Sequence, residues 1–294
     1  HPLMATSAST TTVPMGQKIA FGFGMLANQM FPAALGVFII VLVQDLGFAA
    51  MLWGIIQFLP RIFDAITDPI MGFISDNTRS KYGRRRQYVF IGGILMGLAY
   101  IAMWQLHQGD GVTYNFIYFL SWSLVFYLGL TIFSVPYVAM GYEISEDFHE
   151  RTQIMAVAQF IGQWAWVIAP WFWVILYDPS WFPEGAGAGV RELSIWVAIP
   201  CTLFALVPAV FLKSQSTLDR TDFAPINAAA ILSSVGKIFS SAFEAFRIKQ
   251  FRQIAGATFL IFNSFNVIAA FTFLIIVHHM FNSDPASAGS WPAM

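Results

Sequence analysis

Apolar residues in this chain run in blocks of about twenty or more, which is the length one helix needs to cross a bilayer. Seven such blocks predict seven helices: Gly16 to Val43, Ala49 to Ser75, Tyr88 to Leu106, Tyr114 to Met140, Gln153 to Tyr177, Leu193 to Leu212 and Phe251 to Phe281. Residues 1–15 are polar and rich in Ser and Thr. They lack the basic-then-apolar pattern of a cleavable signal and read as a disordered tail. Residues 213–250 read as a polar, partly amphipathic central cytoplasmic loop, and 282–294 as a truncated tail.

Composition supports this pattern. Charged residues make up 11% of the chain, against about 25% in soluble domains, so the expectation is an all-α, multi-pass membrane protein with the lipid bilayer as its surroundings. A net charge of −1 excludes a global basic surface for nucleic acid. Cys201, the single cysteine, sits in an apolar run with no metal-ligand spacing around it and reads as a small buried residue. Lys and Arg gather between helices two and three (Arg79, Lys81, Arg84, Arg85, Arg86) and after helix six (Lys213, Arg220, Lys237, Arg247, Lys249). Among the alternate connections, only the one after helix five carries any, Arg191. The positive-inside rule then places the N-terminus in the cytoplasm. Six helices, a long cytoplasmic segment and one more helix divide the chain as a two-half, twelve-helix transporter would. The expected architecture is an N-terminal six-helix bundle (16–212) plus the first helix of a second bundle (251–281), with a missing C-terminal half as partner. An intact seven-helix protein is the alternative.

Asp64 and Asp68 stand out within the second block. A carboxylate at membrane depth costs roughly 2.5–3.5 kcal/mol on insertion scales and is rarely there without a task. Four residues apart, the two share one helix face. Pro69 withholds a backbone donor and frees a carbonyl nearby. Carboxylates and spare carbonyls are hard oxygen ligands suited to Na⁺ or Li⁺, and a carboxylate pair also suits one proton. The structural alternative is a bridge from the pair to Arg61 or to a base on another helix. At the end of the second helix, Asp76 faces the cluster Arg79, Arg84, Arg85, a charge lattice able to shut one face of a transporter; the bland reading is a positive-inside anchor. Glu143, Glu146, Asp147, Glu150 and Arg151 follow the fourth helix, either as a solvated face or as partners of the missing half. His278 and His279 read as a wet interfacial pair. No Walker A motif, nucleophile elbow or HExxH is present, so the chain does not read as an enzyme and needs no cofactor. Rival classes are an uncoupled channel and a non-transport membrane subunit.

The run Arg61-Ile-Phe-Asp64-Ala-Ile-Thr67-Asp68-Pro69-Ile-Met-Gly72, with Thr78-Arg79-Ser80 and Tyr82-Gly83 after it, resembles the glycoside–pentoside–hexuronide:cation symporters of the major facilitator superfamily, the melibiose-carrier branch. Lys18 and Phe-Gly-Phe-Gly at 21–24 fit the same family, as do Pro136-Tyr137, Glu143, Glu150-Arg151-Thr152 and Phe246-Arg247. The resemblance implies cation-coupled symport of a sugar or glycoside by alternating access, in a bacterial inner membrane, with Na⁺ or H⁺ as coupling ion. It implies a cation site at Asp64, Asp68, Thr67 and Thr131, and a cytoplasmic gate at Asp76, Arg79, Arg84, Arg85, Glu143 and Arg151. It implies a solute cavity at Asn28, Gln29, Ser134 and Gln159. There the family's charged sugar clamp is replaced by neutral groups, and a helix-four Trp by Val138. A neutral glycoside fits such a cavity; so does a non-sugar or lysolipid-like solute.

Overall fold

The computed structural model describes residues 12–212 and 216–282. Most of the expected tails, residues 1–11 and 283–294, and Lys213 lie outside them. In hydrocarbon every backbone N–H and C=O must be satisfied within its own segment, and long apolar runs therefore become helices. These are α1 (Met15–Phe38), α2 (Ile40–Gln44), α3 (Ala50–Asp76), α4 (Arg86–Met103), α5 (Val112–Glu143), α6 (Phe148–Tyr177), α7 (Ala186–Phe211), α8 (Ala228–Ala245) and α9 (Lys249–Ile275), with a π-helical turn at Ile276–Met280. No strand occurs among the described residues. Six helices, counting α1 with α2 as one, are long and apolar enough to cross a membrane. α8 and α9 pass that test only together, and they are bent by 103° from one another.

Three boundaries differ from the expected ones for physical reasons. The fifth helix begins at Phe148 rather than Gln153, because the Asp147 carboxylate accepts from the Glu150 amide at 2.9 Å and caps it. That bond holds the Asp147 carboxyl below its usual range. The sixth begins at Ala186 rather than Leu193. Gly185 turns the chain at φ +95°, and Arg191 turns its guanidinium back onto the Leu106 and Gly187 carbonyls at 2.8 and 3.4 Å, so its charge is no obstacle to helix. Residues 213–250 are not loop throughout, since α8 occupies the middle with Asn227 as its N-cap, accepting from the Ala230 amide at 2.8 Å.

α1 packs along α6 and α7, α4 along α5 and α7, and α3 along α5. Exchanging α1, α3 and α4 for α5, α6 and α7 turns each of these pairs into another of them: α1–α6 becomes α5–α3, α1–α7 becomes α5–α4, and α4–α7 maps onto itself. Consecutive spans alternate in direction, so α1 and α5 run oppositely. This is the contact pattern of two inverted three-helix repeats. An aromatic cluster fills the centre: Phe31, Phe38, Tyr100, Trp104, Phe119 and Phe126 meet mostly edge-on, with centroids 5.1–6.4 Å apart. α9 is exposed along most of its length. It meets the bundle at its far end, where Val277 is buried, Phe271 leans on Trp53, and His278 shares a 2.8 Å hydrogen bond with Gln44.

At the α4–α5 seam glycines meet opposing backbone rather than side chains. A Cβ added at Gly92 would stand 2.5 Å from the Phe133 amide nitrogen, and one at Gly129 would stand 2.7 Å from that of Met96, so each helix indents the other. Gly92→Ala and Gly129→Ala are each expected to cost about 1–3 kcal/mol by overpacking. Gly54→Ala, with open space around it, is the control. Thermal unfolding of the purified protein in detergent checks this: equal melting temperatures for Gly92→Ala and Gly54→Ala would refute the interlock.

Candidate functional site

α3 holds both aspartates. Pro60 and Pro69 both lie within this helix. Pro69 has no N–H, so the Ala65 carbonyl, between Asp64 and Asp68, has no i+4 donor. On the neighbouring α5, the Thr131 hydroxyl donates to Asp68 Oδ1 at 2.8 Å. Thr67 Oγ1 donates to the Phe63 carbonyl at 3.0 Å and lies 3.4 Å from Thr131 Oγ1. Asp68 is exposed and Asp64 half-buried, and Asp64 Oδ1 is enclosed without a hydrogen-bond partner. A bridge to a cation is not found: among the described residues no basic side chain lies within 4.0 Å of either aspartate, and Arg61 is exposed. Thr67, Asp68 and Thr131 therefore come together through hydroxyl and carboxylate oxygens, with Asp64 one turn away.

At the end of the bundle where the basic residues gather, Arg85 holds Asp76 Oδ1 at 2.5 Å and Glu143 Oε1 at 2.9 Å, and Arg84 pairs with Glu143. α3, the α3–α4 loop and α5 are thus tied by one lattice. Arg79 and Arg151 do not join it. Arg79 is exposed, and Arg151 lies on the first turn of α6 beside Tyr142, Phe148 and Thr152. Two acidic residues of the stretch where α5 ends and α6 begins find partners inside this bundle. Glu143 is in the lattice, and Glu150 pairs with Lys18 of α1 at 3.1 Å, with side chains only 11% and 5% exposed. Lys18 also donates to Gln153 at 2.8 Å, and the Val13 amide to Glu150 at 3.2 Å. Desolvated charges persist only when paired and hydrogen-bonded, and this cluster meets that condition.

The residues expected to line a solute cavity are neutral and loosely held. Asn28 and Gln29 aim their amide nitrogens at the Met25 sulfur, 4.0 and 3.9 Å away. Ser134 is half-buried and Gln159 exposed. Sequence reasoning missed Trp166 of α6, whose indole N–H donates to Gln29 Oε1 at 3.0 Å. Trp166 follows Gln159 and Gln163 at helical spacing, and that periodicity was the available signal. It also missed Thr217, a buried residue that bonds Thr78 and Ser80 of the α3–α4 loop; a lone Thr in a polar stretch carried no signal at all.

Six spans in two inverted triplets, with an acidic pair on the least buried of them, are the bundle of the major facilitator superfamily. The chain belongs to the family described as MFS/sugar transport protein, which it matches over residues 20–241. This bears out the resemblance to the glycoside/cation symporters of that superfamily. It is 33% identical to the uncharacterized symporter sll1374 of Synechocystis over 51% of this chain and 29% of that protein. It is 28% identical to a lactose permease of Leuconostoc lactis over 76% of this chain and 37% of that one. It is 31% identical to the sodium-dependent lysophosphatidylcholine symporter 1 of Xenopus tropicalis over 46% of this chain and 26% of that one. The chain thus spans about a third of the length of these relatives.

Lys18→Met alone leaves Glu150 buried without its cation and is expected to cost about 3–5 kcal/mol, whereas Lys18→Met with Glu150→Met recovers most of that loss. Melting temperatures of the two variants decide it, and a double variant no more stable than the single one would show that a buried, unpaired Glu150 is not what the single substitution costs.

Proposed function

We propose that this chain is the N-terminal part of a cation-coupled symporter rather than an enzyme, with its N-terminus in the cytoplasm of a bacterial inner membrane and its solute a sugar or glycoside. The observation that carries the reading is the Thr131–Asp68 hydrogen bond beside an enclosed, unpartnered Asp64 oxygen. An enclosed carboxylate oxygen with no donor is costly unless a cation or a proton takes that place. Asp64, Asp68, Thr67 and Thr131 hold Na⁺ or H⁺, and the Ala65 carbonyl adds a fifth hard oxygen source on the same helix. Loading neutralises the groove and favours entry of a solute between Asn28, Gln29, Ser134 and Gln159, whose amides and hydroxyl suit sugar hydroxyls. By linkage each ligand raises the affinity for the other by the same factor. The lattice at Asp76, Arg84, Arg85 and Glu143 braces the cytoplasmic end as the bundle rocks against a second half. A lysolipid-like solute is the second reading, favoured by the uncharged cavity wall and by the relative named as a lysophosphatidylcholine symporter.

The test is uptake by the full-length protein in proteoliposomes, with Na⁺ and pH gradients set independently, for a panel of neutral glycosides and a lysophosphatidylcholine. Asp68→Asn and Asp64→Asn are each expected to abolish gradient-driven uptake while insertion is retained. Thr131→Val, which keeps shape but loses the hydroxyl, should weaken the apparent cation affinity at least about tenfold, the equivalent of one hydrogen bond to a charged group. Full cation coupling in the Asp64→Asn, Asp68→Asn double variant would overturn the assignment. Uptake of lysophosphatidylcholine but no glycoside would replace the solute class.

A further inference from the structure

α8 is bonded at one end and bare along one side. The segment before it is strapped to the α3–α4 loop: Thr217 donates to the Thr78 and Ser80 carbonyls at 3.1 and 3.3 Å, accepts from the Ser80 amide at 3.1 Å, and Asn77 accepts from the Ala224 amide at 2.9 Å. Along α8 itself, Ile231, Leu232, Val235, Ile238, Phe239, Ala242 and Phe243 recur at helical spacing, while Ser233, Ser234, Lys237, Ser240, Ser241 and Glu244 take the other side. None of these residues is fully buried. α8 packs against α3, Ile231 and Val235 are partly covered, and Leu232, Ile238, Phe239 and Phe243 are exposed, by 72, 47, 58 and 69%.

Three observations say what covers that stripe. α8 turns 103° from α9 across a three-residue break, so when α9 runs along the membrane normal α8 lies nearly in the membrane plane. Phe246, which continues the apolar stripe at the corner, packs edge-on against Phe251 in the first turn of α9, with centroids 5.3 Å apart. The stripe therefore looks along α9 toward the hydrocarbon. Finally, residues 237–252 carry Lys237, Arg247, Lys249 and Arg252 against the single carboxylate Glu244, the balance expected where anionic headgroups lie.

We infer that α8 is a membrane-surface helix whose Leu232–Phe239–Phe243 stripe is seated in the headgroup–acyl boundary of the bilayer. Its occupant is lipid, whichever solute is carried. Seated there, α8 holds the Thr217 strap at a fixed depth, and the strap holds the loop that bears Arg84 and Arg85.

Single cysteines labelled with an environment-sensitive fluorophore test this in the full-length protein in phosphatidylcholine–phosphatidylglycerol vesicles. Cys201 is buried and stays unlabelled. Labels at Leu232→Cys, Phe239→Cys and Phe243→Cys are expected to be blue-shifted, quenched by lipids brominated high on the acyl chain, and shielded from aqueous iodide. Labels at Ser233→Cys, Ser240→Cys and Glu244→Cys should show the reverse. Stripe labels shielded from both quenchers would mean that protein covers the face, the rest of the chain or a second copy, and would overturn the inference. Stripe labels open to iodide would overturn it equally.

Discussion

A charge or an unpaired backbone group inside hydrocarbon has no water to fall back on, and nearly every feature of this molecule follows from that. The backbone obeys by folding into helices whose carbonyls are answered within each segment. Side chains obey by finding partners across helices. Lys18 and Glu150 meet from opposite repeats, Arg191 donates to the Leu106 carbonyl just past α4 and to the Gly187 carbonyl of its own helix, and Asp76 and Glu143 share Arg85 where the bundle reaches water. A few neutral groups, Tyr100, Trp104 and Asn115 among them, also keep a buried polar atom without a hydrogen bond, but among the described residues Asp64 is the one carboxylate that does. A carboxylate left so is what singles the site out.

The two repeats solve the packing problem in matching ways but not equally. α4 and α5 are locked by glycines pressed against opposing backbone, and α1 is clasped by α6 and α7. α3, the counterpart of α6, is the least buried of the six spans. It packs on α5, with lesser contacts to α2 and α8, and is tied at its end by the charge lattice and the strapped loop. A helix with so much of its surface unpacked is suited to carry groups that must exchange partners.

Where one strong local signal existed, the sequence was legible. The second helix was expected over Ala49 to Ser75 and runs Ala50–Asp76, because its apolar run stops abruptly at a charge and a polar turn. The aspartates were visible because charge in an apolar block is rare, whereas Thr131 was reached only through the family resemblance. The start of α6 was misjudged because an N-cap followed by acidic residues looks like loop until Lys18, far away in the chain, is seen to neutralise Glu150. α8 was masked for a similar reason: its serines lower the apolar content while leaving the periodicity intact. Trp166 on Gln29 and Thr217 on Ser80 each join residues 137 positions apart, and no local pattern encodes a meeting of that kind.

The Thr131–Asp68 bond joins two supports of unequal stiffness. Two residues before Thr131, Gly129 nests against the backbone of α4, so the hydroxyl is mounted on the rigid centre of the bundle. Asp68 rides on a helix interrupted by two prolines and bordered by open space. The two oxygens thus stand on unlike supports: one on a helix pressed backbone to backbone against its neighbour, the other on the least buried span, whose far end is Asp76 and the arginine that grips it.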